Sequence, residues 1–368
     1  MNSAAAPGSI GGAVVDLEVI IVGDGLAASA AAIVLAKQNI AFAIIAPRTK
    51  IQPTYRIGES LGAGAQDVLR SLGVWEKFLL GPHRPSSQFF TAWGAPLLQR
   101  RPEQPGWTLD RLTFDQMMKD AANASEPPRL DAAVRHVVRE AGRWRVTTGV
   151  GEVLTCRFII DGSGRAAAVA RRLTTPRRYD RLVACHSLVD QTVTEVQPTP
   201  ATLVESADEG WWYSTFLPSG KALVAWFTDS CPGSIIRDSD AWRTRLATSR
   251  FAVPWLESAG FQEAALPMIS AAGTVVLASA ADASLGWAAA GDAALAVDPL
   301  SSHGILSALW MGRQVGGAAA AWMQGDEKPL EDYRLEVARG ASRYLSERRA
   351  MYAVEQRYPE SLFWQRRL

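Results

Sequence analysis

The apolar run Val19-Ile20-Ile21-Val22, entered at Glu18, stops at Gly23 and gives way to an alanine-rich stretch from Ala27 to Lys37, then to a second apolar run from Ile40 to Ile45. Short runs without alternation on either side of a helical segment predict a βαβ unit whose strands are buried on both faces. Further along, a Gly-rich start leads into a helix near Ala65 to Leu72. Between Pro82 and Pro105 the prolines punctuate a partly alternating segment carrying Phe89, Phe90 and Trp93, and Leu112 to Ala124 has helical period, with Phe114 inward and Asp115 outward. Val134 to Glu140, Trp144 to Val150 and Glu152 to Ile160 alternate as strands. Trp211 to Pro218 and Ala222 to Thr228 flank Ser219-Gly220 as a hairpin of a broad sheet, with a helix at Trp242 to Thr248 on its back. Short strands at Thr274 to Ala278 and Trp287 to Ala290 precede a small-residue helix from Ile305 to Trp322. Glu331 to Tyr358 is charged and amphipathic, one helix or two, and Arg339, Arg343 and Arg348 are expected to face solvent.

The turn between the first strand and helix has a particular chemistry. Gly23 permits a tight bend, Gly25 lets a pyrophosphate approach the main chain, and Ala28 stands where a third glycine is commoner but still permits close helix packing. The unpaired amides at the helix start would then face phosphate. Far away in sequence, Gly291-Asp292 runs into Asp298-Pro299-Leu300-Ser301-Ser302-His303-Gly304-Ile305, a second segment shaped to hold part of a bulky cofactor, and the pair together suggests FAD. The second strand ends in Ala46-Pro47-Arg48, without the acid that commonly binds the adenosine ribose.

The fold class expected is α/β with α+β elements: an FAD-binding Rossmann-like domain carrying an inserted, mostly antiparallel sheet that serves the substrate. Residues 16–80, 111–176 and 271–328 are assigned to the first domain, 81–110 and 177–270 to the second, and 329–368 to C-terminal helices. A length of 368 residues accommodates this. A net charge of +1 gives no reason to expect nucleic acid or an anionic membrane as partner, and no segment approaches the apolar length of a membrane span. Met1 to Gly12 is expected as a frayed tail without signal-peptide features, so a reduced, cytoplasmic setting is the expectation. Three scattered cysteines, Cys156, Cys185 and Cys231, form no metal spacing and argue against a disulfide framework. Thirteen tryptophans serve either core packing or a pocket for a flat aromatic ligand.

Taken in order, Gly23-x-Gly25, Arg56-Ile57-Gly58-Glu59-Ser60, Asp110-Arg111 with Phe114-Asp115, Asp161-Gly162-Ser163-Gly164-Arg165 and Gly291-Asp292 with Asp298-Pro299 resemble the FAD-dependent monooxygenases and halogenases of the para-hydroxybenzoate hydroxylase superfamily. The Gly-Glu-Ser-Leu segment, the Trp211-Trp212-Tyr213-Ser214 strand and the Asp-Pro-Leu-Ser-Ser-His-Gly-Ile loop look most like the flavoproteins of tryptophylquinone cofactor biogenesis. That resemblance implies hydroxylation of a tryptophan in a peptide or partner quinoprotein subunit through a flavin C4a-hydroperoxide, with O2 as co-substrate. Electrons would come from NAD(P)H or a separate flavin reductase, since no second dinucleotide fingerprint appears. Related halogenases carry a lysine where this chain has Ser86-Ser87-Gln88-Phe89-Phe90, and their Trp-x-Trp-x-Ile-Pro strand differs here, which disfavours halogenation.

The resemblance also distributes roles. Gly23, Gly25, Ala28, Arg56, Arg111, Asp292, Pro299, Gly304 and Ile305 are expected to bind FAD. Backbone amides from Ile305 onward would stabilise charge on the reduced ring. His303 and Glu59 are candidate catalytic groups, although His303 is equally explained as a structural loop residue and Glu59 as an ion-pair partner of Arg56. Trp212, Phe90 and Tyr213 are expected around the substrate, while strand alternation allows only part of the Trp211 to Tyr213 run to reach it. Hydroxylation or halogenation of a free indole or other aromatic metabolite, a flavin-dependent reductase, and a non-catalytic maturation protein are the alternatives.

Overall fold

The computed structural model describes residues 15–48, 54–86, 88–101, 105–193, 195 and 198–368. The tail at Met1 to Gly12, Pro53 at the start of the loop before Glu59, and Ser87 lie outside the described residues. Along the chain, β1 (Val15–Val22), α1 (Leu26–Lys37) and β2 (Phe42–Ile45) are followed by β3 (Gln88–Ala92), α2 (Arg111–Ala122) and β4 (Val153–Asp161). Next come β5 (Val183–Gln191), β6 (Ala201–Ala207), β7 (Gly210–Phe216), β8 (Ala222–Thr228) and β9 (Met268–Ala271). The short strand β10 (Trp287–Ala289) precedes two long helices, α3 (Gly304–Met323) and α4 (Lys328–Ala353).

The centre of the first sheet runs β10-β4-β1-β2, all parallel, and antiparallel strands join it at Ala281–Asp282 beside β10 and at Arg143–Thr148 beside β4. Its register aligns the carboxyl ends: Val22 lies opposite both Asp161 and Ile45, and Asp161 lies opposite Ala289. Parallel sheets must be covered on both faces, which is why Val19 to Val22 and Ile159-Ile160 are fully or nearly fully buried. The crevice beyond the carboxyl ends is where open α/β sheets bind ligands. The alanines of α1 permit close packing on α3, where Gly312 and Gly316 face Ala27 and Ala31.

The second sheet has the order β5-β8-β7-β6-β3, antiparallel except where β6 meets β3, with β9 and a strand at Phe261–Ala264 both on β5. Alternation divides its residues between two cores. On one face Trp212, Val224 and Trp226 pack against Trp242, Leu246, Ala252 and Leu256 of the helices behind it. On the other, Trp211, Ala225 and Phe227 meet Tyr352, Phe363 and Trp364 from the C-terminal region.

Two expectations are corrected. Arg348 does not face solvent: its side chain is 9% exposed and pairs with Asp180 and Asp298, because α4 lies over the join between the sheets. Cys185 and Cys231 form a disulfide across 46 residues of sequence, leaving Cys156 as a buried thiol. The pairing of β5 with β8 brings the two cysteines together, a convergence that spacing alone does not reveal. Among the described residues no helix is long and apolar enough to cross a membrane.

Glu205 of β6 is 3% exposed, and its carboxylate accepts from Ser249 Oγ and the amides of Arg250, Phe251 and Ala252 at 2.7 to 2.9 Å. It therefore caps the helix Ala252–Ser258 from another element. Replacing it leaves several buried donors unpaired. Glu205→Ala is expected to lower the unfolding free energy by about 3 kcal/mol, measured by urea titration; a loss below about 1 kcal/mol would show that water or neighbours satisfy those donors instead.

Candidate functional site

Two turns meet at the carboxyl ends of β1 and β4. Gly23 has φ +103°, and a Cβ there would sit 2.5 Å from the carbonyl oxygen of Gly162, so only glycine fits. Gly162 in turn presses on Ala28, which makes Ala28 a packing contact rather than part of the cleft wall. Gly25 is the N-cap of α1, makes no side-chain cap bond, and has open space where a Cβ would stand. The first amides of α1 are thereby left available at the cleft. The second turn is held by Asp161, whose carboxylate accepts from Ser163 N at 3.0 Å, Ser163 Oγ at 2.6 Å, Val169 N at 2.8 Å and Ala170 N at 2.7 Å.

The facing wall comes from the chain after β10. Pro299, Ser302, Gly304 and Ile305 line the cleft. Asp292 also lines it, with its side chain 37% exposed and Arg165 Nε 3.4 Å from Oδ2. His303, between two lining residues, is exposed and does not line the cavity; its amide meets Ser301 Oγ at 3.4 Å at the start of α3. Where the second strand lacks a ribose acid, the cleft is bordered by Ala46, Pro47 and Ala132 to Val134. Asp24, within the glycine turn, is held below the usual carboxylate range: burial opposes this, but Lys119 at 2.9 Å and Arg129 at 3.1 Å prevail.

A third group of residues braces the middle. Arg111 Nη1 donates to the carbonyls of Ile57, at 2.8 Å, and of Gly58, while its Nε and Nη2 reach Asp115 Oδ1 at 3.2 and 3.1 Å. Arg56 Nη1 reaches Asp115 Oδ2 at 3.2 Å. Asp115, expected to point outward, is 9% exposed, because it receives both guanidinium groups. Arg56 and Arg111 both border the cleft, yet their charge is directed at Asp115 and the backbone. Gly58 has φ +88°, a left-handed conformation that favours glycine, and a Cβ there would push on Arg111 Nη1, 2.8 Å away.

The loop so braced presents Glu59, 3% exposed, whose Oε1 accepts from the Tyr213 hydroxyl. Burial raises the Glu59 carboxyl above its ordinary value, partly offset by Tyr213 and by Arg111, and burial likewise raises the Tyr213 phenol. Beyond them the cleft wall is Trp211 and Tyr213 of β7 with Leu223, Ala225 and Phe227 of β8. Trp211 stacks on Phe227 with ring centroids 3.8 Å apart and planes 11° from parallel.

Two expected pocket residues lie elsewhere. Trp212 is fully buried on the reverse face of the sheet against Trp226 and Trp242, and Phe90 packs beside Trp255 in the same rear core. The physical reason is the period of two: if Tyr213 faces the cleft, so must Trp211, and Trp212 cannot. That alternation was the signal available for Trp211. Gly23, Gly25, Arg56, Glu59, Arg111, Tyr213, Asp292, Pro299, Gly304 and Ile305 do share one cavity of about 750 Å³.

No family model matches the chain. It is 24% identical over 367 residues, covering 95% of this chain and 96% of its relative, to LodB of Marinomonas mediterranea, which is provisionally described as an FAD-dependent oxidoreductase. Among solved structures it superposes on QhpG, a peptidyl tryptophan dihydroxylase essential for tryptophylquinone cofactor biogenesis, with TM-score 0.75 and 22% identity over 96% of this chain and 78% of the other. It superposes on the myxobacterial chondrochloren halogenase CndH, an FAD-dependent halogenase, with TM-score 0.80 and 20% identity over 96% and 86%. A Rossmann-like core with an inserted mixed sheet, matched over nearly its whole length, gives this chain the fold of the FAD-dependent oxidoreductases and halogenases.

Proposed function

We propose that the protein is an FAD-dependent oxidoreductase that hydroxylates an aromatic substrate. The observation that carries the reading is the single cavity in which the Gly23-Gly25 turn, the Pro299 to Ile305 loop and an aromatic wall all take part. The residues fit the cofactor: an uncapped helix start and the open space at Gly25 suit the pyrophosphate, and the partly exposed Asp292 carboxylate can accept from ribityl hydroxyls. When bound and reduced, FAD supplies electrons and activates dioxygen, and NAD(P)H or a separate reductase supplies it with electrons. The amides opening α3 would stabilise negative charge beside the ring.

Trp211, Tyr213 and Phe227 border the cavity with aromatic surface suited to an electron-rich ring, and Leu223 and Ala225 add apolar lining beside them. Glu59 is the acid or base best placed to move the substrate proton, being buried, bonded to Tyr213 and at the cavity wall. No lysine borders the cavity among the described residues, which favours hydroxylation over halogenation. A free indole or other small aromatic is the substrate class in view. Tryptophan within a peptide or quinoprotein subunit is the second reading, supported by the likeness to QhpG.

Three outcomes test this. Purified protein given FAD should acquire a flavin absorption spectrum, and Gly25→Val should weaken FAD binding by about a hundredfold, since the branched side chain fills the phosphate approach; a variant binding as tightly as the parent would remove the site. With an electron source and oxygen, free indole and a tryptophan peptide should be compared by mass spectrometry. A gain of one oxygen supports the reading, whereas a halogenated product, or a product reduced without oxygen uptake, replaces it.

Glu59→Gln is expected to lower kcat by about a hundredfold while the fold persists. Because burial raises the Glu59 carboxyl, its contribution to stability is greatest below the unfolded value and is lost as pH rises through the folded one. The melting temperature of Glu59→Gln should therefore exceed that of the parent by a margin that widens as the pH rises above the ordinary glutamate range, about 4.3. A margin independent of pH would mean that Glu59 is not buried in its charged form.

A further inference from the structure

Residues Tyr344, Arg348 and Tyr352 stand four positions apart on α4 and so share one face of that helix. Each makes polar contacts to more than one other part of the chain. Tyr344 Oη receives the Asp298 amide at 2.6 Å and lies 2.9 Å from Thr274 Oγ1. Arg348 donates through Nη2 to Asp180 Oδ2 at 2.7 Å and through Nε to Asp298 Oδ2 at 3.4 Å. Tyr352 Oη donates to Asp298 Oδ2 at 2.8 Å and receives the Trp211 indole N–H at 3.2 Å.

The partners are not scattered. Asp180 lies where the chain leaves the strand Pro176–Arg178 for β5, and Thr274 lies where it returns from β9 toward Val275–Leu277, so both mark crossings between the second sheet and a small three-stranded sheet of Pro176–Arg178, Val275–Leu277 and Leu295–Ala296. Asp180 Oδ1 accepts from the amides of Leu182, at 3.0 Å, and Thr274, at 3.3 Å, which ties one crossing to the other. Asp298 opens the loop that supplies Pro299, Ser302, Gly304 and Ile305 to the cavity, and its Oδ1 accepts from Leu300 N at 3.0 Å. Trp211 belongs to the aromatic wall.

We propose that Tyr344, Arg348 and Tyr352 are positioning residues that fix the separation between the aromatic wall and the flavin-side loop. They do so by holding both crossings, the loop and Trp211 on one helix face. This rests on the functional reading for what the two walls hold, but the mechanical coupling stands on contacts within the chain. Two buried carboxylates share one guanidinium, with side chains of Asp180 and Asp298 only 5% and 1% exposed. Without Arg348 they would repel each other in a dry environment, and the crossings and the loop would loosen together.

The test is amide hydrogen exchange on the full chain, for the parent, Arg348→Met and Arg348→Lys. In Arg348→Met, exchange is expected to rise about tenfold in segments 179–182, 271–274 and 298–304 together, with α1 and β1 unchanged, and Arg348→Lys should recover most of the protection. A rise in one segment alone, a uniform rise across the chain, or no rise overturns the proposal. If Arg348→Met does not fold, Tyr352→Phe carries the test with about a threefold rise at 298–304 and at the β7 amides around Trp211. In FAD-loaded protein, indole should perturb the flavin spectrum of the parent and of Arg348→Lys but not of Tyr352→Phe, an effect that fold stability alone does not produce; an unchanged response in Tyr352→Phe counts against the coupling. A parent chain that binds no FAD defeats the functional reading and leaves the exchange result to decide the positioning role.

Discussion

Backbone against backbone, the turn after β1 leans on the turn after β4, and the cleft depends on that contact. Gly23 approaches Gly162 so closely that a methyl group on Gly23 would collide with the Gly162 main chain, while one on Gly162 would press on Ala28 at the start of α1. The parallel register brings the two turns to the same level, and Asp161 holds the second one with four accepted hydrogen bonds. With both turns fixed, the open start of α1 has one direction to face. A helix start so oriented can attract an anion without a charged side chain, because its amides and dipole supply the positive potential.

Charge in the rest of the cleft is largely spent on architecture. Arg56 and Arg111 converge on Asp115, Lys119 and Arg129 on Asp24, and Arg348 on Asp180 and Asp298. Each pair or trio holds a loop at the cleft, and pairing offsets the cost of removing those groups from water. Glu59 departs from this pattern. Its buried carboxyl has a phenol rather than a cation as direct partner, and burial raises it above the ordinary glutamate value, an effect that the Tyr213 hydrogen bond and Arg111 offset only in part.

The second sheet performs two separable tasks with one strand pair. Its rear face is sealed by Trp212, Trp226 and Trp242, which supply rigidity. Its front face offers Trp211, Tyr213 and Phe227 to the cleft. Since neighbours along a strand point oppositely, the Trp211-Trp212-Tyr213 run builds the core and the cavity wall at once. Tyr352 of α4 bonds to both Trp211 in that wall and Asp298 at the start of the loop across the cleft.

Local pattern alone determined the elements close to where they are: the apolar run ending at Gly23, the hairpin around Ser219-Gly220, the helices near Ala65 to Leu72 and from Gly304. The same holds for the glycine turn and the Asp292 to Ile305 segment, because tight turns and close backbone approaches leave their mark in residue type. What the sequence could not settle were relations between distant side chains. Whether Trp211 or Trp212 meets the cleft is a choice of strand face, set by which side the helices cover. Arg348 has the look of a solvated helix residue until the join between the sheets places Asp180 and Asp298 against it, and Cys185 meets Cys231 only through strand pairing. Local preference fixes the backbone's repertoire over a few residues, whereas burial, charge pairing and access to the cavity are decided by what the folded chain sets alongside each group.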